Sequence, residues 1–287
     1  MVGSTPGQSG KLRLAKVISN TVSFMGRNLI LSLVVGALFF VFPLVLVDLW
    51  TYWYWPRVAY LAGAHGNSPW AIAANLGSAL GSGLLGLAAN FVGHAVLSRA
   101  TIDDINGNQP SIGCCTRTAL HHLLPVLGIS FAIYLVLSFM QYVRLGAGLL
   151  FPPHGGGVVF ILLIVPTFIW AMGISVAVPV AIRERLGSIA SMSRSRALTM
   201  GYRWPIFGLF SIALGLIFLM RVALVFGIRF AASAIPSASA FIIGTIPGAI
   251  VSAIVWTVAS IAMTTAYVEL RRVKEGTSVD ELAEIFS

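Results

Sequence analysis

The sequence predicts an all-α fold, a polytopic bundle of membrane-spanning helices. Three observations predict it. Only 9% of the 287 residues are charged and 57% are hydrophobic, with mean hydropathy +0.91. A soluble domain carries roughly 25% charged residues, so this chain has too few to cover a surface facing water. Apolar runs of spanning length recur six times, and the basic residues gather on one side of them.

The expected spans are residues 29–49, 71–97, 123–144, 158–181, 205–226 and 240–267. Each approaches the ~20 residues that cross a bilayer as helix. Their unbroken apolarity differs from the in-out alternation of ~10-residue barrel strands. The first run is too long for a signal-peptide core and no small-residue cleavage site closely follows it, so no cleavable leader is expected. Residues 1–10 read as a disordered N-terminus.

Net charge is +9 and the isoelectric point about 10.2. In a soluble protein such a balance points to nucleic acid; here no nucleic-acid partner is expected. Fourteen of the 18 basic residues fall in the N-terminal segment, the even-numbered connections and the tail; Arg57, Arg144, Arg221 and Arg229 fall opposite. The positive-inside rule makes the rich side cytoplasmic, which places both termini inside. Trp50, Tyr52, Trp53, Tyr54, Trp55, Tyr60 and Trp70 mark the other side, where aromatic rings settle at headgroup depth. A membrane-surface helix is the simpler reading of that first outer loop; a groove for a lipid or partner is the sharper one.

Three stretches before the odd-numbered spans read as interfacial amphipathic helices. In residues 12–28, Leu14, Val17, Ile18, Thr21, Val22, Phe24 and Met25 share a face opposite Arg13, Lys16, Ser19, Asn20, Ser23 and Arg27. In 111–122, which Ser111 can N-cap, Ile112, Cys115, Thr116, Ala119 and Leu120 oppose Cys114, Arg117, Thr118 and His121. In 189–204, Ile189, Ser193, Ala197, Met200 and Trp204 form one face flanked by Arg194, Arg196 and Arg203. Ser191, Ser195, Thr199 and Tyr202 lie opposite. The chain thus reads as one plan used three times within a membrane domain of residues 11–270: interfacial helix, span, outer loop, span, over 11–97, 98–181 and 182–268. A tail over 271–287 follows, with a short helix started by the capping-box spacing of Ser278 and Glu281.

Arginine and lysine at the edge of an apolar face bury their stems and extend their charge toward phosphate. Lys16, Arg27, Arg117, Arg194, Arg196 and Arg203 are therefore candidate lipid-phosphate contacts. Asp48, paired with Arg221 or Arg144, is a candidate ion pair at the outer face. Small residues at every fourth position of the second and sixth spans, including Gly77, Gly81, Gly93, Gly244 and Gly248, read as close-packing stripes that centre these two helices in the bundle. Asn90 and His94, four apart, read as a packing hydrogen-bond pair rather than a proton relay. Cys114 and Cys115 read as reduced residues, not as a disulfide framework or a metal pair. Asp103 and Asp104 open a polar turn that lacks the spaced ligands of a calcium loop. No cofactor or metal is expected.

Two stretches carry a family resemblance. One runs from Pro179 to Gly208, with Arg-Leu-Gly near its start and SRSRALTMGYRWPIFG after it; the other, Ala266 to Leu282, reads AYVELRRVKEGTSVDEL. Together they resemble the membrane domain attached to some bacterial glycerophosphoryl diester phosphodiesterases, and related stand-alone six-span proteins. The resemblance covers roughly the last 110 residues and implies a bacterial inner-membrane bundle. It does not imply hydrolysis. In those enzymes a separate soluble barrel carries the chemistry, and none of His65, His94, His121, His122 and His154 here precedes the Arg-Gly that opens the catalytic motif. The expected function is a non-catalytic membrane module that contacts anionic inner-leaflet lipid or organises a membrane-protein partner or a second copy. A transporter or permease subunit is the alternative; an intramembrane enzyme lacks an assembled set of reacting groups.

Overall fold

The computed structural model describes residues 13–61, 69–151, 155–232 and 237–275. The N-terminal stretch 1–10 and the Ser278–Glu281 capping box lie outside them. Helix makes up 91% of the structure and no strand occurs among the described residues, which settles the all-α class. The order is α1 (Leu14–Arg27), α2 (Leu29–Gly36), a π turn (Ala37–Val41), α3 (Phe42–Leu61), α4 (Pro69–Ile105), α5 (Ile112–His121) and α6 (Leu123–Leu150). Then come α7 (Gly155–Ile174), α8 (Ala177–Glu184), α9 (Ser188–Thr199), α10 (Arg203–Ala232) and α11 (Ser237–Glu275).

Five helical stretches among the described residues are long and apolar enough to cross a membrane: Leu29–Tyr54, Gly81–Ile105, Leu123–Gly148, Gly156–Glu184 and Thr245–Glu275. The expected span 205–226 falls within α10, several of whose side chains lie outside the described set, so five spans rather than six are established. Isoleucine and leucine point outward along these helices, among them Ile30, Leu124, Leu162 and Ile254, while the interior mixes apolar side chains such as Phe40, Leu97 and Ile129 with small hydroxyls such as Ser98, Ser260 and Thr264. Hydrocarbon as solvent permits apolar residues on both faces, because apolar contact with lipid costs nothing and small hydroxyls allow close packing.

Helix α11 is the central element. Its apolar window is 56% buried, against 17% for the span formed by α7 and α8. It packs against α1, α2, α3, α4, α8, α9 and α10. At about 1.5 Å per residue its 39 residues extend ~58 Å, well beyond the ~30 Å hydrocarbon core. The helix therefore runs past the expected boundary at residue 267 and carries Arg271, Arg272, Lys274 and Glu275 out of one end. The inner half of α4 is also buried, from Ala95 to Ile102 apart from Arg99.

Prolines shape the other helices. Pro43 has no N–H for the carbonyl four residues back. The preceding π turn takes up the mismatch: the Phe42 N–H donates to the Ala37 carbonyl, five residues back. Helix α3 then continues to Leu61 without a break, so the aromatic stretch from Trp50 to Tyr54 prolongs the span instead of forming a separate surface helix. Trp50, Tyr52 and Trp53 are exposed, and Trp50 stacks on Tyr54 at 5.2 Å. The side chains of Trp55, Tyr60 and Trp70 lie outside the described set. Pro179 has a sharper effect: the helix stops at Ile174 and restarts at Ala177.

The short helices α1, α5 and α9 gather at one end with the C-terminal turns of α4, α8 and α11. Two glycines make the connections there. Gly107, at φ +80°, closes the turn after α4, where the Asn106, Gly107 and Asn108 N–H groups cap α4 carbonyls; Gly201, at φ +90°, turns α9 into α10.

Candidate functional site

The end of the bundle where these elements meet is basic, and its carboxylates are already engaged. Asp104 accepts from Arg27 Nη2 at 2.6 Å and Nε at 3.3 Å, and from Asn28 Nδ2 at 2.9 Å. Asn28 is the break between α1 and α2, so this knot fixes that corner to the end of α4. Asp104 also raises the Arg27 pKa, first through its hydrogen bond and then through its charge. Arg99 holds Asp103 at 3.0 Å and Lys16 holds Glu269 at 3.2 Å. Arg194 joins Glu184 (3.1 Å) to Glu275, and Arg271 holds Glu275 at 2.6 Å. Tyr267 donates to the other oxygen of Glu184 at 3.1 Å. Lys274 donates to the Ala197 carbonyl in the last turn of α9, where helix carbonyls lack partners and a positive charge meets the negative pole.

Three of the six candidate phosphate contacts, Lys16, Arg27 and Arg194, are thus spent on internal ion pairs. The other three, Arg117, Arg196 and Arg203, are exposed and bridge to no carboxylate among the described residues. The same holds for Arg13, Arg183, Arg185 and Arg272, which sequence patterning did not single out. Arg27 and Arg194 are bound by carboxylates 10 to 81 positions away, and helical spacing carries no trace of those.

Helix α9 keeps the two faces read from the sequence and turns the hydroxyl face toward the protein. Its protein-facing side is hydroxyls together with Leu198: Ser191, Ser195 and Thr199 are buried, whereas Ile189, Met200 and Trp204 are 81%, 67% and 83% exposed. The break after α7 explains this. It leaves the Gly173 carbonyl without an N–H from Ala177, and Ser195 Oγ (2.8 Å) and Thr199 Oγ1 (3.3 Å) donate to it instead. Ser188 Oγ donates to the Pro125 carbonyl at 3.0 Å, an acceptor in the first turn of α6. Helix α9 is therefore clamped by hydroxyls on one side and presents apolar residues and arginines on the other. Helices α1 and α5 instead turn residues of their apolar faces inward, burying Val17, Thr21 and Phe24, and Cys115 and Ala119.

Cys114 is exposed and Cys115 buried. Burial first, then the charges of Asp103 and Cys114, push the Cys115 thiol up to about 11. Thiolate is the reactive form, so at pH 8 a maleimide is expected to label one thiol per folded chain, at Cys114. The second thiol should react only after denaturation. Mass-spectrometric mapping checks this, and equal labelling of both thiols in the folded protein would contradict it.

Asn90 and His94 do not bond to each other. Asn90 Nδ2 donates to the Gly86 carbonyl at 2.7 Å, while Asn90 Oδ1 and His94 Nδ1 have no partner among the described residues. The His94 ring sits edge-on to Phe91 at 6.4 Å. Of the glycine stripe, Gly93 is close-packed: a methyl there would lie 2.6 Å from Phe39 Cβ and 3.0 Å from the Phe40 ring. Gly81 faces open space. Gly248 is buried in α11, and Gly77 and Gly244 are helical positions whose surroundings lie outside the described set. Gly36 is a close approach the stripe missed, with Thr257 Oγ1 3.1 Å from an added methyl. At the other end, Asp48 is exposed on α3 and Arg144 Nε donates to Gln141 at 3.0 Å; the Arg221 side chain lies outside the described set. No group of three or more metal-ligating side chains occurs among the described residues.

Comparison with protein families, with characterised proteins and with solved structures found no match to this chain.

Proposed function

We propose that this membrane protein is a non-catalytic module that engages anionic lipid headgroups through the basic end of its bundle. One observation carries the reading. Asp103, Asp104, Glu184, Glu269 and Glu275 are each neutralised by a base, yet Arg13, Arg117, Arg183, Arg185, Arg196, Arg203 and Arg272 remain exposed around the same end without a carboxylate among the described residues. Guanidinium groups beside outward apolar residues suit phosphate at the depth where the bilayer turns polar. Arg185 adds weight. It holds φ 54° and ψ 37° after α8, a left-handed conformation that costs a non-glycine residue roughly 1 kcal/mol. A residue kept there against glycine points to use of its side chain.

In this reading α10 supplies a sixth span, both termini are cytoplasmic and the basic end rides the inner leaflet. The likeness of residues 179–208 and 266–282 to the phosphodiesterase-linked membrane domain belongs to the same proposal. A permease reading has less support. Such a protein needs a polar path through the bundle, whereas Ser252, Ser260, Thr264 and Thr265 on the central α11 donate to carbonyls of their own helix, and Asn90 Oδ1 and His94 Nδ1, without partners among the described residues, lie within one turn of α4.

The test is lipid retention after mild extraction from bilayers of phosphatidylglycerol and phosphatidylcholine. Each basic residue near an anionic surface contributes about 1 kcal/mol. Changing Arg183, Arg185 and Arg196 together to glutamine should cut phosphatidylglycerol enrichment roughly tenfold or more, and the remainder should respond less to salt. Unchanged enrichment would contradict the proposal.

A further inference from the structure

An apolar groove of about 160 Å³ lies between α1, α10 and α11. Ile18 and Val22 of α1, Ile212 and Leu216 of α10, and Val258 and Met263 of α11 are among its walls. Its hydroxyl, Thr21, is already committed, donating to the Val17 carbonyl at 2.8 Å and lying 3.2 Å from Thr265 Oγ1. Ile18, Val22, Ile212 and Leu216 are exposed, so the groove opens outward. Such a space offers a chain of methylenes contact on three sides and offers a polar ligand nothing.

One end of the groove is marked by charge. The Lys16–Glu269 pair stands there between α1 and α11. Leu14 comes within 4.0 Å of a methyl built at Gly208 and packs in one cluster with Ile206 and Leu270, so α1 and α10 both begin beside the C-terminal turns of α11. Arg13 precedes Leu14, and Arg203 is the first residue of α10. Both are exposed and neither has a carboxylate partner among the described residues. Apolar slot and unneutralised guanidinium groups are thus stacked in the order of a phospholipid's own parts.

We infer that this groove is a discrete site for one anionic phospholipid, with an acyl chain between α1, α10 and α11 and its phosphate on Arg13 and Arg203. Helix α1 is then one wall of a lipid-binding slot as well as a helix at the interface. The inference rests on the basic end lying at headgroup depth, and adds a defined stoichiometry and place to it.

Native mass spectrometry of the full chain, titrated with dioleoylphosphatidylglycerol or dioleoylphosphatidylcholine, tests it. The wild type should retain one phosphatidylglycerol beyond a diffuse background. Ala259 lines the slot from α11; Ala259→Phe, which fills it, should lower that occupancy about tenfold and leave overall phosphatidylglycerol enrichment intact. Arg13→Gln with Arg203→Gln should remove the preference over phosphatidylcholine. The Arg183, Arg185 and Arg196 variant should do the reverse, losing enrichment but keeping the single bound lipid. Undiminished occupancy in Ala259→Phe, or equal retention of phosphatidylcholine by the wild type, would overturn the inference and leave the general lipid proposal standing. Phosphatidylglycerol with a photoactivatable acyl chain gives a readout on unaltered protein: crosslinks to α1, α10 and α11 are expected, and crosslinks confined to other helices would overturn the inference.

Discussion

Gly93→Leu should abolish assembly of a stable bundle. A β-carbon at this position lies 2.6 Å from Phe39 Cβ and 3.0 Å from the Phe40 ring. The first of these is fixed to the backbone of the π turn and cannot swing aside. Four carbons added to a core without space force α4 away from that turn, which itself packs on α11. Overpacking costs 1–3 kcal/mol where a core yields a little. Here the backbone itself must move, so a loss of about 3 kcal/mol is expected, read as a collapse of the monodisperse fraction or a sharp drop in Tm after extraction. Gly81→Ala is the control. Nothing lies within 4 Å of its added methyl, and alanine favours helix by up to about 1 kcal/mol over glycine, so Tm should hold or rise. A Gly93→Leu protein as stable as the wild type would contradict the packing of the π turn on α4.

Lys16→Met should destabilise almost as strongly, for an electrostatic reason. Glu269 is 8% exposed and Lys16 is its partner at 3.2 Å. Removing the ammonium leaves a carboxylate in a place of low polarity, and breaking a buried pair from one side costs 3–5 kcal/mol. Lys16 is partly exposed, so solvent screens the interaction, and a loss of about 2 kcal/mol is expected. Glu269→Gln should rescue it: the double variant should recover most of the loss because no charge is left stranded. A double variant no better than the sum of its parts would show that the two groups do not interact.

These effects also show what the sequence held. The all-α membrane class was legible in composition and in run length, because hydrocarbon selects for both directly. The inward face of α1 was legible too, since Val17, Thr21 and Phe24 follow a period of 3.6. Helix α9 was legible only in part. Ser191, Ser195 and Thr199 visibly share a face, but that the hydroxyls turn inward depends on a carbonyl freed at Gly173, and that break arises in another helix. The ion pairs between helices were not legible. Arg27 finds Asp104 and Lys16 finds Glu269 across 77 and 253 positions, and only the assembled bundle brings them together. This is why Lys16, Arg27 and Arg194 looked like lipid contacts. Arg183 and Arg185 did not, because they fall outside the three amphipathic stretches. The glycine stripe was half informative: spacing of four marks a face, while Gly93 and Gly81 meet quite different neighbours on it. The Asn90–His94 spacing was right for a hydrogen bond that Gly86 takes instead.

Every role given to the basic end requires the bundle to cross the bilayer with that end on one side and the Trp50–Tyr54 aromatics on the other. A membrane-impermeant maleimide applied to sealed vesicles of opposite orientation tests this most directly, using Cys114 at the basic end and, in a Cys114→Ser background, Tyr52→Cys at the other. Cys114 should be labelled only in inside-out vesicles and the Tyr52→Cys thiol only in right-side-out ones. Labelling of both thiols from the same side would contradict that arrangement.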